Sequence, residues 1–181
     1  MDPCQSEGIV IQASSGLFQV ETAHGVIECM ARAGADPGGI VPGDRVLISP
    51  QPAGRGVIES MMPRATRFSR KVAGRRQDEQ VIAANLDQVV VVLAAAEPTF
   101  KETTLDRYLA AAEQCGLNAV VCVNKVDLGP ASGADSARDL AERAEVYARI
   151  GYPVIMTSVV AGTGIDQLRQ ALEGAVSALV G

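Results

Sequence analysis

The sequence predicts two folded domains of different class: a small β-barrel over residues 1–63 and a parallel α/β sheet over residues 85–181. A basic linker over residues 64–84 joins them. Three observations predict this division. Short β-branched runs fill the first segment, strands alternate with helical patterns in the last, and the sign of the charge changes between them.

The first segment has the pattern of a small barrel. Strands are predicted at residues 8–12, 18–22, 26–31, 46–48 and 56–59, with glycine and proline turns between them. About five short strands within some sixty residues, without a helical period, are typical of a closed or partly closed barrel. An OB-type barrel is the first choice, and an SH3-like barrel is the close alternative.

The middle segment differs from its neighbours in charge. The net charge of the chain is −5, and residues 1–63, 64–84 and 85–181 contribute −4, +4 and −5. The basic side chains of the middle segment are Arg64, Arg67, Arg70, Lys71, Arg75 and Arg76. Such a run indicates contact with a polyanion such as RNA. The alternative is a solvated linker that keeps two acidic domains soluble.

The last segment has the pattern of βαβ units. The nearly continuous apolar run over residues 86–93 is typical of a parallel strand that is covered on both faces. Further strands are predicted over residues 118–123 and 153–156, and helices over 104–115, 136–150 and 165–176. Thr163 is the expected cap of the last helix. Ligands of such sheets gather at the carboxyl ends of the strands.

Residues 124–127 (NKVD) follow the second strand of this sheet and match the edge and face of guanine. Guanine presents N1–H and N2–H₂ as adjacent donors, and the Asp127 carboxylate can accept both. Asn124 can use its amide toward N7 and O6, and the stem of Lys125 can lie across the ring. Adenine has the opposite donor and acceptor pattern. The alternative for this tetrapeptide is a solvated loop with a helix cap.

A second loop follows the third strand and is expected at the same edge of the sheet. Its residues, Thr157, Ser158 and Val159, would form the other wall of a base pocket, with a backbone N–H toward guanine O6. The alternative is a plain turn from strand to loop. The shared position of the two loops is stronger support for a guanine site than either match alone.

Several classes of protein are disfavoured by what the sequence lacks. It contains no GxxxxGK[ST] phosphate loop. It also lacks a GxGxxG motif after the first α/β strand, so a dinucleotide-binding enzyme is disfavoured. Four cysteines without a CxxC pair and a single histidine, His24, predict no zinc site. The longest apolar run, residues 89–96, is too short for a bilayer, and no secretion signal is present. We predict no catalytic residue, no metal site and no membrane contact, in a cytoplasmic protein.

The motifs of the chain, in their order, resemble the circularly permuted GTPases of the ribosome small-subunit-dependent GTPase A family (the RsgA/YjeQ type). They occur at residues 43–46, 58–59, 63–64, 68–71, 73–75, 79–87, 106–109, 124–127, 150–152 and 158–164. The stretch 79–87 and the order of the later motifs are specific to that family. The resemblance covers nearly the whole chain.

This resemblance implies a fold, an activity and partners. It implies an OB-type barrel that binds 16S rRNA, followed by a P-loop GTPase domain whose base-recognition motifs precede its phosphate loop. It also implies GTP and GDP as ligands with Mg²⁺, a structural Zn²⁺ in a closing domain, and action on the small (30S) ribosomal subunit late in maturation by a cytoplasmic monomer. Asn124, Lys125 and Asp127 match the family's base-specificity motif, and Ser158 matches its second base-side loop.

The sequence departs from the family pattern by ending at Gly181, where we expect the next strand and the phosphate loop to follow. The residues that would hold the phosphates, Mg²⁺ and Zn²⁺ are therefore expected to be missing. The chain is then a partial GTPase domain with an unpaired sheet edge, inactive in hydrolysis by itself. The alternative is a ribosome- or RNA-binding module without GTPase activity.

Overall fold

The computed structural model describes residues 5–35, 39–71, 79–96, 98, 100–128 and 134–181. The chain divides into two compact units, Met1–Asn85 and Leu86–Gly181. The first unit contains the barrel, and the second contains the parallel sheet with its helices.

The first unit is built on five strands that close into a barrel. They are β1 (Ser6–Ser14), β2 (Leu17–Thr22), β3 (Gly25–Ala31), β4 (Arg45–Gln51) and β5 (Arg55–Met61). Their order around the barrel is β1-β2-β3-β5-β4, and β4 pairs with β1 to close it. Strands β3 and β5 run parallel, and the other pairs are antiparallel. This is the OB topology, so the first choice is confirmed and the SH3-like alternative is not.

Alternation along the strands creates the barrel core. Inward side chains are buried while their neighbours in sequence face outward, as the two-residue period of a strand requires. The core consists of Val10, Phe18, Val20, Cys29, Ile40, Val46, Ile48 and Ile58. Burial of each large apolar side chain stabilises the unit by about 1.5–3 kcal/mol.

The segment expected to be a linker has regular structure where it is described. Strands β6 (Arg67–Lys71) and β7 (Glu79–Ala84) form an antiparallel hairpin, and both fall within the first unit. Phe68 and Ala84 are buried in it. The sequence pattern did not predict this hairpin, because the segment is mostly polar and only a few of its apolar side chains are buried. Arg75 and Arg76 lie outside the described residues.

A buried ion pair ties the start of this segment to the barrel. The Arg64 guanidinium donates from Nε to Asp44 Oδ1 at 2.7 Å and from Nη2 to Asp44 Oδ2 at 2.8 Å. Asp44 is fully buried, and its Oδ2 also accepts the Val41 N–H at 2.8 Å. Asn85 makes the matching contact at the other end, with its amide donating to Gly43 O at 2.8 Å. The base of the hairpin is therefore fixed to the loop before β4.

The second unit has a four-stranded parallel sheet in the order β10-β9-β8-β11. Its strands are β8 (Gln88–Ala94), β9 (Asn118–Asn124), β10 (Val154–Met156) and β11 (Ser177–Val180). Its helices are α1 (Glu102–Gln114), α2 (Ala134–Arg149) and α3 (Ile165–Leu172). The predicted alternation of strands and helices is present, and a short 3₁₀ turn, Val126–Leu128, follows β9.

Strand β11 corrects two expectations about the end of the chain. The last helix stops at Leu172 instead of continuing to residue 176, and the strand expected after Gly181 lies within the chain. It pairs with β8, so β11 and not β8 is the outer strand on this side of the described sheet. The Asp87 carboxylate accepts the Val176 N–H at 2.7 Å, which sets where this strand begins. Apolar residues recur at similar spacing throughout residues 165–180, so the sequence pattern did not show where the helix ends and the strand begins.

The start of α3 also differs from its prediction. Gly164, not Thr163, is the N-cap residue, and its φ is 69°. A Cβ atom at this position would lie 2.0 Å from Met156 O. The chain passes so close to the end of β10 that a residue without a side chain is required, and this close approach outweighs the preference for a hydroxyl cap.

Candidate nucleotide-binding site

Two loops at the carboxyl ends of β9 and β10 meet at one edge of the sheet. The Thr157 N–H donates to Val123 O at 2.8 Å, and the Val126 N–H donates to Thr157 O at 3.2 Å. The Ala95 N–H, just after β8, donates to Asn124 O at 2.7 Å. Backbone hydrogen bonds therefore join the ends of three neighbouring strands, as expected for a ligand site in an open parallel sheet.

Buried hydroxyl groups hold the Asn124 and Asp127 side chains of the NKVD loop. The Thr157 hydroxyl donates to Asn124 Oδ1 at 3.1 Å, and the Ser158 hydroxyl donates to Asp127 Oδ1 at 2.5 Å. Thr157 and Ser158 are 1% and 0% exposed, whereas Asp127 is exposed. Each buried hydroxyl therefore orients a side chain that is more accessible to solvent, the amide of Asn124 or the carboxylate of Asp127.

The bond from Thr157 decides which way the Asn124 amide faces. Because Oδ1 of Asn124 accepts this bond, the NH₂ group is the part of the amide that remains to donate to a ligand. Cys122 Sγ lies 3.4 Å from the Thr157 oxygen. The Thr157 hydrogen is used toward Asn124, so the Cys122 thiol is the donor of this contact. Burial raises the pKa of the Cys122 thiol, which keeps that proton in place.

Lys125 makes the sharp turn between Asn124 and the 3₁₀ turn. Its φ is 62°, in the left-handed region that costs a residue with a side chain about 1–2 kcal/mol. The Leu128 N–H donates back to Lys125 O at 3.1 Å and closes the turn. The turn leaves the Lys125 side chain exposed beside Asn124 and Asp127. Strained residues of this kind are concentrated at functional sites.

The two loops line a pocket of about 330 Å³. Its lining residues are Asn124, Lys125, Asp127, Leu128, Val159 and Val160. Val159 and Val160 are 74% and 89% exposed, which is unusual for large apolar side chains. The pocket therefore combines a carboxylate, an amide and a cation with apolar walls, the mixture that recognises a flat polar ring.

Ser158 reaches this site through Asp127. Its side chain is buried, and its own N–H donates to Thr163 O at 3.0 Å. Its hydroxyl also accepts the Ala161 N–H at 3.0 Å, which fixes the second loop. The structure brings Asn124, Lys125, Asp127 and Ser158 close together, as their places after two strands suggested. The sequence did not indicate the supporting contacts of Thr157 and Cys122 or the apolar wall at Val160, because these depend on side-chain packing across two loops.

The basic residues of the middle segment have different surroundings. Arg64 is held by Asp44 and donates to Gly39 O at 2.7 Å, and its side chain is 15% exposed. Arg67 is an exposed residue of β6, and Arg70 and Lys71 follow it in the same strand. The structure therefore gives Arg64 a structural contact, and RNA contact by the others stays a prediction.

Two further features concern the described part of the chain. Within it, no three His, Cys, Asp or Glu side chains come together in a group that would hold a metal ion. No helix of the described residues is long and apolar enough to cross a membrane.

Comparison with known proteins agrees with the fold. The family model described as RsgA GTPase matches residues 61–181. The small ribosomal subunit biogenesis GTPase RsgA of Gemmatimonas aurantiaca is 37% identical over 182 residues, which cover 96% of this chain and 57% of that protein.

Two solved structures are similar to the chain over almost its full length. The crystal structure of YjeQ from Thermotoga maritima matches with a TM-score of 0.75 and 31% identity, over 98% of this chain and 60% of that one. The crystal structure of YloQ, a circularly permuted GTPase, matches with a TM-score of 0.67 and 25% identity, over 97% and 59%. The chain spans somewhat more than half the length of these relatives. It belongs to the RsgA GTPase family, as its motifs indicated.

Proposed function

We propose that this chain recognises the guanine base of GTP and GDP as part of a circularly permuted GTPase that acts in maturation of the small ribosomal subunit. The observation that carries the proposal is the pair of hydrogen bonds from Thr157 to Asn124 and from Ser158 to Asp127. They hold an amide donor and a carboxylate at one pocket. These are the two groups that the edge of guanine requires.

In the proposed complex, each lining group has a distinct task. Asp127 accepts N1–H and N2–H₂ of the base, and the NH₂ group of Asn124 donates toward N7 and O6. The Lys125 stem covers one face of the ring, and apolar Val159 and Val160 line the site. Adenine is rejected because its edge would leave the Asp127 carboxylate without donors, at a cost of about 1–3 kcal/mol or more.

The proposed share of this chain in the reaction is base recognition. Its sequence contains no GxxxxGK[ST] motif, and phosphoryl transfer requires held phosphates and a held metal. We therefore propose that the 181-residue chain does not hydrolyse GTP by itself. The described residues show no acidic cluster suited to Mg²⁺ or cysteine and histidine cluster suited to Zn²⁺, and we assign neither ion to them.

The proposed partner is the small (30S) ribosomal subunit with its 16S rRNA. We propose that the protein binds it in the cytoplasm as a monomer. Relatives at 36–37% identity are named small ribosomal subunit biogenesis GTPases, which supports this choice. The basic segment that includes β6 is the part of the chain whose charge suits RNA, since it contributes +4 to a chain of net charge −5.

Guanine binding is tested by nuclear magnetic resonance on the isotope-labelled chain. We expect GDP to shift the backbone resonances of Asn124–Asp127 and of the loop after β10, because both loops line the pocket. ADP serves as the matched control with the same phosphates and should leave these resonances in place. Equal shifts with both nucleotides, or shifts at other residues alone, would contradict base recognition here.

Contact with the ribosome is tested by removing charge from the basic segment. Replacing Arg70, Lys71, Arg75 and Arg76 together with Gln should weaken binding to purified 30S particles and lower its salt dependence, by a slope of roughly one for each phosphate that is no longer neutralised. The control variant replaces Lys101, Arg107, Arg149 and Arg169 with Gln, which changes the net charge equally. If the two variants bind alike in a sedimentation assay, the segment is a solvated surface and does not bind RNA.

A further inference from the structure

Three polar side chains form a hydrogen-bonded series that ends at the candidate nucleotide-binding site. Cys122 Sγ, on β9, lies 3.4 Å from Oγ1 of Thr157, the residue directly after β10. The Thr157 hydroxyl in turn donates to Asn124 Oδ1 at 3.1 Å. Cys122 and Thr157 are each 1% exposed, so their hydrogens bond to protein groups and not to water. We call these three residues the Thr157 network.

The buried end of the Thr157 network is a donor. Cys122 packs in an apolar cluster with Val90, Val120 and Ile155, side chains that offer its thiol no acceptor. The thiol hydrogen therefore bonds to the Thr157 oxygen, a polar atom within its reach. Burial raises the pKa of the Cys122 thiol, so this hydrogen stays on the sulfur.

The middle of the network has one hydrogen to give. The Thr157 hydroxyl carries a single hydrogen, sulfur is a weak acceptor and an amide oxygen is a good one, so the hydrogen goes to Asn124 Oδ1. In the opposite arrangement the Asn124 NH₂ would donate to Thr157 and the hydroxyl would turn toward the sulfur. The thiol hydrogen would then lack an acceptor among apolar side chains. The network therefore has one direction, from Cys122 to Asn124.

This direction decides how Asn124 can read a purine. An Asn amide that presents both of its ends pairs with N6 and N7 of adenine, because its oxygen accepts from the 6-amino group. An unrestrained Asn beside the base would therefore suit a 6-amino purine. Here the amide oxygen is held toward Thr157, and the NH₂ group is the end left for a ligand. That donor suits the N7 and O6 acceptors of guanine.

We propose that Thr157 is a specificity-determining residue of the guanine site, which keeps the Asn124 amide from accepting a 6-amino group, and that Cys122 is the residue that positions Thr157. The inference rests on the proposed binding of guanine. It adds a second reading of the base to that of Asp127, which Ser158 orients through a separate hydrogen bond. Each of the two buried hydroxyls thus controls one edge of the base.

The first measurement compares GDP with the diphosphate of 2,6-diaminopurine riboside on the isotope-labelled 181-residue chain. This analogue keeps N7 and the 2-amino group of guanine and has an amino group at position 6. Thr157→Val removes the hydroxyl with little change in shape and should raise the affinity for the analogue relative to GDP about 3- to 10-fold, the value of one hydrogen bond. Thr157→Ser keeps a hydroxyl and should keep the original ratio, which a role in packing alone does not predict.

The matched control is Thr103→Val, the same chemical change at an exposed position of α1. It should leave the ratio of the two affinities unchanged. No response to GDP in the unmodified chain would contradict the proposed function and this inference with it. A normal GDP response with the same ratio in the unmodified chain and in Thr157→Val would overturn this inference alone.

The second measurement needs no nucleotide. The infrared S–H stretching band of a thiol moves to lower frequency when the thiol donates a hydrogen bond, and the difference spectrum against Cys122→Ala identifies the band of Cys122. In the unmodified chain this band should lie at the lower frequency, and in Thr157→Val it should move to that of a free thiol. A free-thiol band for Cys122 in the unmodified chain would overturn the direction assigned to the Thr157 network.

Discussion

Asp127→Asn is expected to move the nucleotide preference of the chain from guanine to xanthine. An Asn side chain offers one acceptor and one donor, whereas guanine presents two adjacent donors, so the NH₂ of the variant would face guanine N2–H₂. Xanthine has a carbonyl oxygen at that position and would accept from the new NH₂. Ser158 donates to Oδ1 of Asp127 and would hold the amide oxygen of the variant in the same place. We expect GDP affinity to fall about 10- to 100-fold and xanthosine diphosphate to gain.

The measurement is the ratio of GDP to xanthosine diphosphate affinity, taken from resonance shifts of the two loops. The ratio cancels any general weakening of the fold. The matched control is Asp166→Asn, an exposed carboxylate in the first turn of α3 that makes the same chemical change away from the pocket. An unchanged ratio in the Asp127 variant would refute the assignment of that carboxylate to the base edge.

Asp44→Ala is expected to destabilise the first unit strongly. It leaves the Arg64 guanidinium, with a side chain 15% exposed, without its carboxylate partner in a largely buried site. It also removes the acceptor of the Val41 N–H. Breaking one side of a buried ion pair costs about 3–5 kcal/mol. Because the chain has two units, amide hydrogen exchange in β2 and β4 is the suitable measurement, and protection there should fall roughly 10²–10⁴-fold.

The chain contains a matched ion pair for comparison. Arg32 and Glu59 also join a loop to a strand of the barrel, with an N–O distance of 2.7 Å, but the Arg32 side chain is 69% exposed. Glu59→Ala should leave exchange in the barrel nearly unchanged, since water replaces an exposed pair at little cost. The double variant Asp44→Ala, Arg64→Ala should lose less than the sum of its single variants. Additive losses would show that the two groups are not coupled.

Most of the fold follows from patterns that are local in sequence. The barrel strands show two-residue alternation, and β8 is a continuous apolar run. Both patterns indicate burial, so these strands were predicted within a few residues of their observed bounds. Strand β11 was missed because residues 177–180 continue the apolar spacing of α3, and the break depends on Asp87 and Gln88, nearly ninety positions away.

The candidate site, like the fold, was predictable from the sequence only in part. The residue types at positions 124, 125 and 127 match guanine by their chemistry, and their place after a buried strand is a local property. The orientation of the Asn124 amide is not, because it depends on a hydroxyl thirty-three positions later. The same holds for Arg64, whose charge suggests RNA and whose structural partner, Asp44, lies twenty positions earlier.

The sequence by itself therefore determined the fold classes, the family motifs and the identity of the groups that would read a base, since period, spacing and residue chemistry are all carried along the chain. Only the tertiary structure decided which of these groups are already engaged. It paired Arg64 with Asp44, placed β11 against β8, required glycine at position 164 and set Thr157 and Ser158 beneath the NKVD loop. The physical reason is that hydrogen bonds and close contacts form between residues distant in sequence, and no local pattern encodes which partner a polar side chain will meet.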